Sequence, residues 1–173
     1  MKRKRADGPG WFRTGEERAL TGPVSILSQE NQAMTLQTSA RHFATLVPYD
    51  RRENFLPTLF GLRHLIIAEN AVYHFMERLS PYDYGGGFWD FFELRGRPLF
   101  LAPTSRKRMR IESGITEFRG EVSAEAAGII ATLFVLSHLS IQYESDHLAE
   151  GYHRLHDYLD GHPEASAIYQ AID

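Results

Sequence analysis

Several groups of side chains in this sequence could carry acid–base, metal or phosphate chemistry. Histidines gather late, at His138, His147, His153, His156 and His162. His153 and His156 stand three residues apart, so on a helix both could turn toward one ligand. A zinc protease would need His-Glu-x-x-His there, which is absent, and Asp157 points away from the shared side. These histidines therefore read as exposed helix residues. Cysteine is absent, which removes disulfides, thiolate nucleophiles and the usual structural zinc sites. Gly85-Gly86-Gly87 could suggest a phosphate cradle, but a P-loop runs into a helix N-terminus and carries a Lys and a hydroxyl. Here the glycines run into an aromatic, strand-like stretch, and a tight loop is the better reading. Serine, histidine and aspartate occur without a Gly-x-Ser-x-Gly elbow or any other spacing that would fix them in one site.

Glu69 is the least ordinary acid. Residues 62–79 place Leu62, Leu65, Ile66, Val72, Phe75, Met76 and Leu79 at helical spacing. On that helix the apolar arc runs from Phe75 through Leu79, Val72, Leu65 and Met76 to Ile66, and Glu69 falls inside it. A carboxylate there needs a partner, or it must give up its charge. It is either a structural acid, in an ion pair or hydrogen-bonded to a tyrosine such as Tyr82 or Tyr84, or a functional acid.

The elements that would hold these groups follow from the same patterning. Pro81 helps to stop the first helix and the glycines form a loop. Phe88–Leu94 reads as a strand with both faces partly covered, Arg95–Pro98 as a turn, and Leu99–Ala102 as a second strand. Residues 106–112 and 117–122 alternate, with Met109, Ile111, Phe118 and Val122 inward and Arg108, Arg110, Glu112, Glu117, Arg119 and Glu121 outward. That outward ladder is either a solvated face with cross-strand charge pairs or a docking surface. Ser123 should cap a helix from Ala124 to about Gln142, apolar nearly all round and so buried. Its small residues Ala124, Ala127, Gly128 and Ala131 would admit a close neighbour. A further helix is expected from about His147 to Leu159. A short last helix follows, with Pro163 in its first turn, ending near Ile172. The expected fold is α+β: a small antiparallel meander of three to four strands packed with about four helices.

Residues 1–39 lack any period and are expected to be a disordered extension, with Met34 as a candidate start of the biological chain. Residues 40–173 form one expected domain. No apolar run of membrane-spanning length is read, and no apolar stretch follows the basic Lys2–Arg5 start, so neither a bilayer crossing nor secretion is expected. Residues 34–173 carry 13 basic and 18 acidic side chains. That is too mild and mixed for a mimic of the phosphate backbone, and of the wrong sign for a general nucleic-acid binder. No tight, specific DNA binding is expected of the body.

From Asn54 onward the sequence resembles the ArdB/KlcA antirestriction family. Asn54-Phe55-Leu56-Pro57 with Phe60-Gly61 carries the first part of the likeness, then Glu69 with Val72-Tyr73. The run from Asp83 through the glycines to Leu94 is longer, and Ala102-Pro103 follows it. The run from Gly120 to Phe134 is the second long one, and His162-Pro163-Glu164 and Ala171-Ile172-Asp173 close it. The resemblance implies a compact α+β protein of plasmids and other mobile elements that protects incoming DNA from type I restriction. It implies no enzymatic activity and no cofactor. The expected partner is the type I restriction complex or a host factor acting on it, in the cytoplasm. Arg95-Gly96-Arg97-Pro98 departs from a more Gly/Asn-type turn in relatives. The candidate partner surface combines Asp83, Tyr84, Trp89, Asp90 and Glu93 with Arg108, Arg110, Arg119 and Glu121. Two other readings stay open: a nucleic-acid-binding regulator using Lys2–Arg5 and Arg106–Arg110, and a hydrolase or metal enzyme built on the late histidines.

Overall fold

The computed structural model describes residues 43–114 and 116–173. The readings placed on Lys2–Arg5, Met34 and the whole extension lie outside the described residues.

The organising element is a helix so apolar that it can only be central. Ala124–Gln142 buries Ala126 through Leu133 without a break, then Val135, Leu136 and Leu139. Ser123 caps it as its composition requires, its Oγ accepting from the Ala126 N–H at 3.1 Å. Helices Phe55–Phe60 (α1) and Leu65–Leu79 (α2) precede it, so the central helix is α3. Asp146–Tyr158 (α4) and Ala165–Ile172 (α5) follow. On α3 pack α2, α4, α5 and one strand of a sheet. Although α3 is long and apolar enough to cross a membrane, a point on which the sequence reading is corrected, these neighbours enclose it as the core helix.

That sheet has the order β1-β2-β3, from Thr45–Leu46 (β1), Trp89–Leu94 (β2) and Arg97–Pro103 (β3). The β2–β3 turn has just two residues, Arg95 at φ 53° and Gly96 at φ 75°. Two central residues in the left-handed region match the twist of a tight hairpin. The outer edge of β3 meets α3: Leu101 N–H donates to Thr132 Oγ1 at 3.4 Å, and Thr132 donates to the Gly128 carbonyl at 2.8 Å. The small residues of α3 allow that approach, as their spacing suggests.

Arg108–Glu112 (β4) and Arg119–Ser123 (β5) pair antiparallel in a second sheet, so the α+β class holds while the strands divide between two sheets. The reason lies at the edge of β4. Arg110 donates its backbone N–H to the Asp83 carboxylate at 2.9 Å, and a side chain thus takes the ladder position another strand would use. Met109, Ile111 and Val122 are buried, and Phe118 packs partly on the core, as their alternation predicts.

Several boundaries differ from expectation. The helix read over 62–79 starts at Leu65, and its buried stripe is Ala68, Val72, Met76 and Leu79. Ile66 is 71% exposed rather than inside the apolar arc. Pro163 precedes α5 instead of opening it. Phe88 lies outside β2: its carbonyl accepts from the N–H and the hydroxyl of Thr104, both at 3.0 Å, and Trp89 is the first residue paired, opposite Pro103.

Candidate partner surface

The nine residues proposed as one surface occupy three environments. The first is buried. Trp89 is 6% and Tyr84 7% exposed, and Trp89 Nε1 donates to the Tyr84 hydroxyl at 3.0 Å. Tyr73 packs against the same indole at 5.5 Å between ring centroids. Burial pushes the Tyr84 phenol up from its ordinary pKa, against the Trp89 hydrogen bond. These two aromatics are core residues, and their place on a partner surface is corrected: a Trp N–H with a protein partner gains most when buried.

The second environment faces the 3-10 turn at Tyr49–Asn54. Glu93 is 8% exposed and takes Arg51 at 2.6 Å, while Asp90 takes Arg52 at 3.0 Å. Glu93 is therefore also withdrawn from the surface. Beside it lies a cleft of about 230 Å³ lined by Val47, Asp50, Arg51, Asn54, Phe55 and Glu93, among others. Its buried carboxylate is already occupied by Arg51, and its lining holds neither a nucleophile-and-base pair nor a metal-ligand set.

The third environment is the outer face of β4 and β5 with the loop before β2. Arg108 Nε meets Glu121 at 2.5 Å and a second nitrogen reaches the Glu121 carbonyl at 2.9 Å. Arg119 and Glu121 are exposed. Asp83 accepts from Arg110 Nε at 3.0 Å and from a second guanidinium nitrogen at 3.1 Å, with Arg106 at 3.4 Å. The Arg110 side chain, then its backbone N–H, hold the Asp83 carboxyl down to about 2. The same contact raises Arg110. One cross-strand pair of the ladder, Arg108–Glu121, is thus realised, and Arg108, Arg110, Arg119 and Glu121 are exposed on this face.

Two residues here escaped the sequence reading. Phe88, read as part of a strand, is 86% exposed, and Tyr82, read as loop, lies under the Arg110 guanidinium at 5.4 Å. Their signal was position: both flank the glycine run, where no periodicity informs on burial.

Glu69 is half-buried and finds a tyrosine, although not the expected Tyr82 or Tyr84. Tyr73, one helical turn on, donates its hydroxyl to Glu69 Oε1 at 2.9 Å. Burial first, then that hydrogen bond and the Glu69 charge, push the Tyr73 phenol well above its ordinary range. The partner is a neutral phenol rather than a cation, so the cost of removal shrinks. Glu69→Ala should cost about 1.5 kcal/mol, the low end for a hydrogen bond to a charged group, and Glu69→Gln less. Urea melts beside an activity assay check this. A fully stable Glu69→Ala protein without activity would make Glu69 a functional acid.

Of the late histidines, His162 is corrected. It is buried, its Nδ1 accepts from the Glu164 N–H at 3.0 Å, and Nε2 lies 3.7 Å from Glu125. Glu164 in turn accepts from Ser123 N–H at 3.0 Å and from its hydroxyl, fastening the start of α5 to the end of β5. His153 is exposed and His156 half-buried beside Tyr152 and Tyr169. Among the described residues no three His, Asp or Glu side chains gather as a metal site would require.

Comparison with known proteins gives this geometry a family. Residues 82–173 match the family model described as antirestriction protein. The antirestriction protein KlcA of Escherichia coli is 43% identical over 134 residues, covering 75% of this chain and 94% of KlcA. YafX of Escherichia coli strain K12 is 32% identical over 153 residues, covering 87% of this chain and all of YafX. Among solved structures, one matches at a TM-score of 0.68 and 43% identity, over 76% of this chain and 94% of its own. It comes from work describing the KlcA and ArdB proteins as showing a novel fold and antirestriction activity against type I DNA restriction systems in vivo but not in vitro. The family model takes in β2 to β5 and the central helix, and the chain belongs to the ArdB/KlcA antirestriction family.

Proposed function

We propose that this protein inhibits host type I restriction and so protects incoming plasmid or mobile-element DNA. In this reading it acts in the cytoplasm by protein contact, without catalysis and without imitating DNA. The likeness to KlcA over nearly all of that protein carries the reading. The surface supports the mode of action. Several acids on the two sheets and the loop before β2 pair with arginines, as in Arg108–Glu121, Arg110–Asp83 and Arg52–Asp90. A DNA mimic would instead need unpaired acids in a row at phosphate spacing. Activity in vivo but not in vitro, as described for KlcA and ArdB, favours a host factor over direct binding to the restriction complex.

Phage plating tests this. Unmodified phage should plate more efficiently on a type I restricting host carrying the gene than on one without it. Modification should be unchanged, and plating on a non-restricting host should not respond. Equal plating on the restricting host with and without the gene would remove the proposal.

A further inference from the structure

The loop 82–88 presents large aromatic side chains to solvent from a backbone that is held in place. The Phe88 carbonyl takes two hydrogen bonds from Thr104, and Asp83 grips Arg106 and the side chain and backbone of Arg110. Tyr82 is 66% exposed and lies under the Arg110 guanidinium. Such fastening lowers the entropy lost when the loop is bound, yet it leaves the Phe88 ring outside the core. Among the described residues nothing stands within 4 Å of where Gly85 or Gly86 would carry a Cβ, so another surface can close on the backbone beside that ring.

Charge indicates what kind of surface. Asp83 is turned inward against its two arginines, with its side chain 8% exposed. Arg106 and Arg110 remain exposed beside it, and Lys107, next along the chain, is exposed as well, so cations outnumber acids here. We infer that Phe88 and Tyr82, with the exposed Arg106, Lys107 and Arg110 of the neighbouring segment, form the docking surface for a protein partner bearing an apolar pocket edged with acidic residues. This deepens the antirestriction reading and rests on it. An aromatic anchor with arginine beside it is the usual composition of an interface centre. A nucleic acid is the weaker occupant, because with two of the three cations held by Asp83 too little unpaired charge is left to track a run of phosphates, whereas a few acids at the edge of a protein pocket need no more.

The test uses the full chain in the plating assay, with Phe88→Ala, Lys107→Glu and, as a control on an exposed apolar residue elsewhere, Ile141→Ala. Protein level and melting temperature are measured for each. The wild type and Phe88→Ala are also titrated against a short fluorescent DNA duplex and its single strand at physiological salt. The expected result is protection reduced about tenfold or more by Phe88→Ala, a clear reduction by Lys107→Glu, and none by Ile141→Ala. Melting should be unchanged and neither DNA probe bound. Full protection by Phe88→Ala, with the wild type active, would overturn the surface and leave the function standing. DNA binding that Phe88→Ala abolishes would assign the loop to nucleic acid instead. A wild type that gives no protection removes the function and this surface together.

Discussion

Gly128→Ala is expected to destabilise the protein by about 3 kcal/mol or more, at or beyond the top of the usual range for overpacking. A Cβ at Gly128 would lie 2.0 Å from the Leu101 carbonyl oxygen and 2.7 Å from the Ala102 Cα. Both neighbours are backbone of β3, so no rotamer change relieves the clash. Moving β3 would disturb its register with β2, where Leu101 faces Phe91 and Ala102 faces Asp90. Moving α3 would disturb the packing of α2, α4 and α5 at once. Gly120 supplies the contrast. A Cβ there would meet the tip of the Phe118 ring at 2.6 Å, and a half-buried ring can swing aside. Gly120→Ala should therefore cost much less. Urea denaturation of the two variants measures the difference, and a Gly128→Ala protein as stable as the wild type would contradict the helix–strand approach described above.

That close approach is legible in the amino-acid sequence, because small residues gathered in the first half of an apolar helix, Ala124, Ala127, Gly128 and Ala131 among them, have few other uses. The central helix itself is legible for a similar reason: a serine cap followed by an unbroken apolar run leaves little choice of location. The β2–β3 hairpin is marked by its Gly-containing turn. The division into two sheets is not legible. Alternation reports which side of a strand is wet, not which neighbour it pairs with, and the Asp83 carboxylate that occupies the edge of β4 lies 27 residues away in sequence. β1 and α1, of two and six residues, are too short to show a period. For Glu69, helical geometry finds the unusual acid, and the same geometry places Tyr73 one turn on, nearer than the tyrosines of the following loop. At the candidate surface, residue type misleads. Tryptophan and tyrosine are common at interfaces, but they are equally suited to a core when the indole N–H has a partner. Exposure of Phe88 depends on where β2 begins, and Thr104, just past the end of β3, sets that boundary.

Trp89→Ala is expected to cost about 3–5 kcal/mol, the range for truncating a large buried aromatic. The indole lies between Tyr73 and Tyr84, with centroids at 5.5 and 5.7 Å, and its loss opens a cavity at the start of β2. Tyr84→Phe removes only the acceptor of the indole N–H. Leaving that buried donor unpaired should cost about 1–3 kcal/mol with the packing intact. Neighbouring Phe88 gives the opposite signature, because its ring leaves the core untouched. Antirestriction by Trp89→Ala and Tyr84→Phe should fall only as the folded fraction falls, and cooling should recover it. In Phe88→Ala protection should be lost while the melt is unchanged. Thermal melts and plating at two temperatures on the same three variants separate the roles of adjacent aromatics. A Trp89→Ala protein with an unaltered melt and no protection would return Trp89 to the partner surface and place the anchor one residue further along the chain.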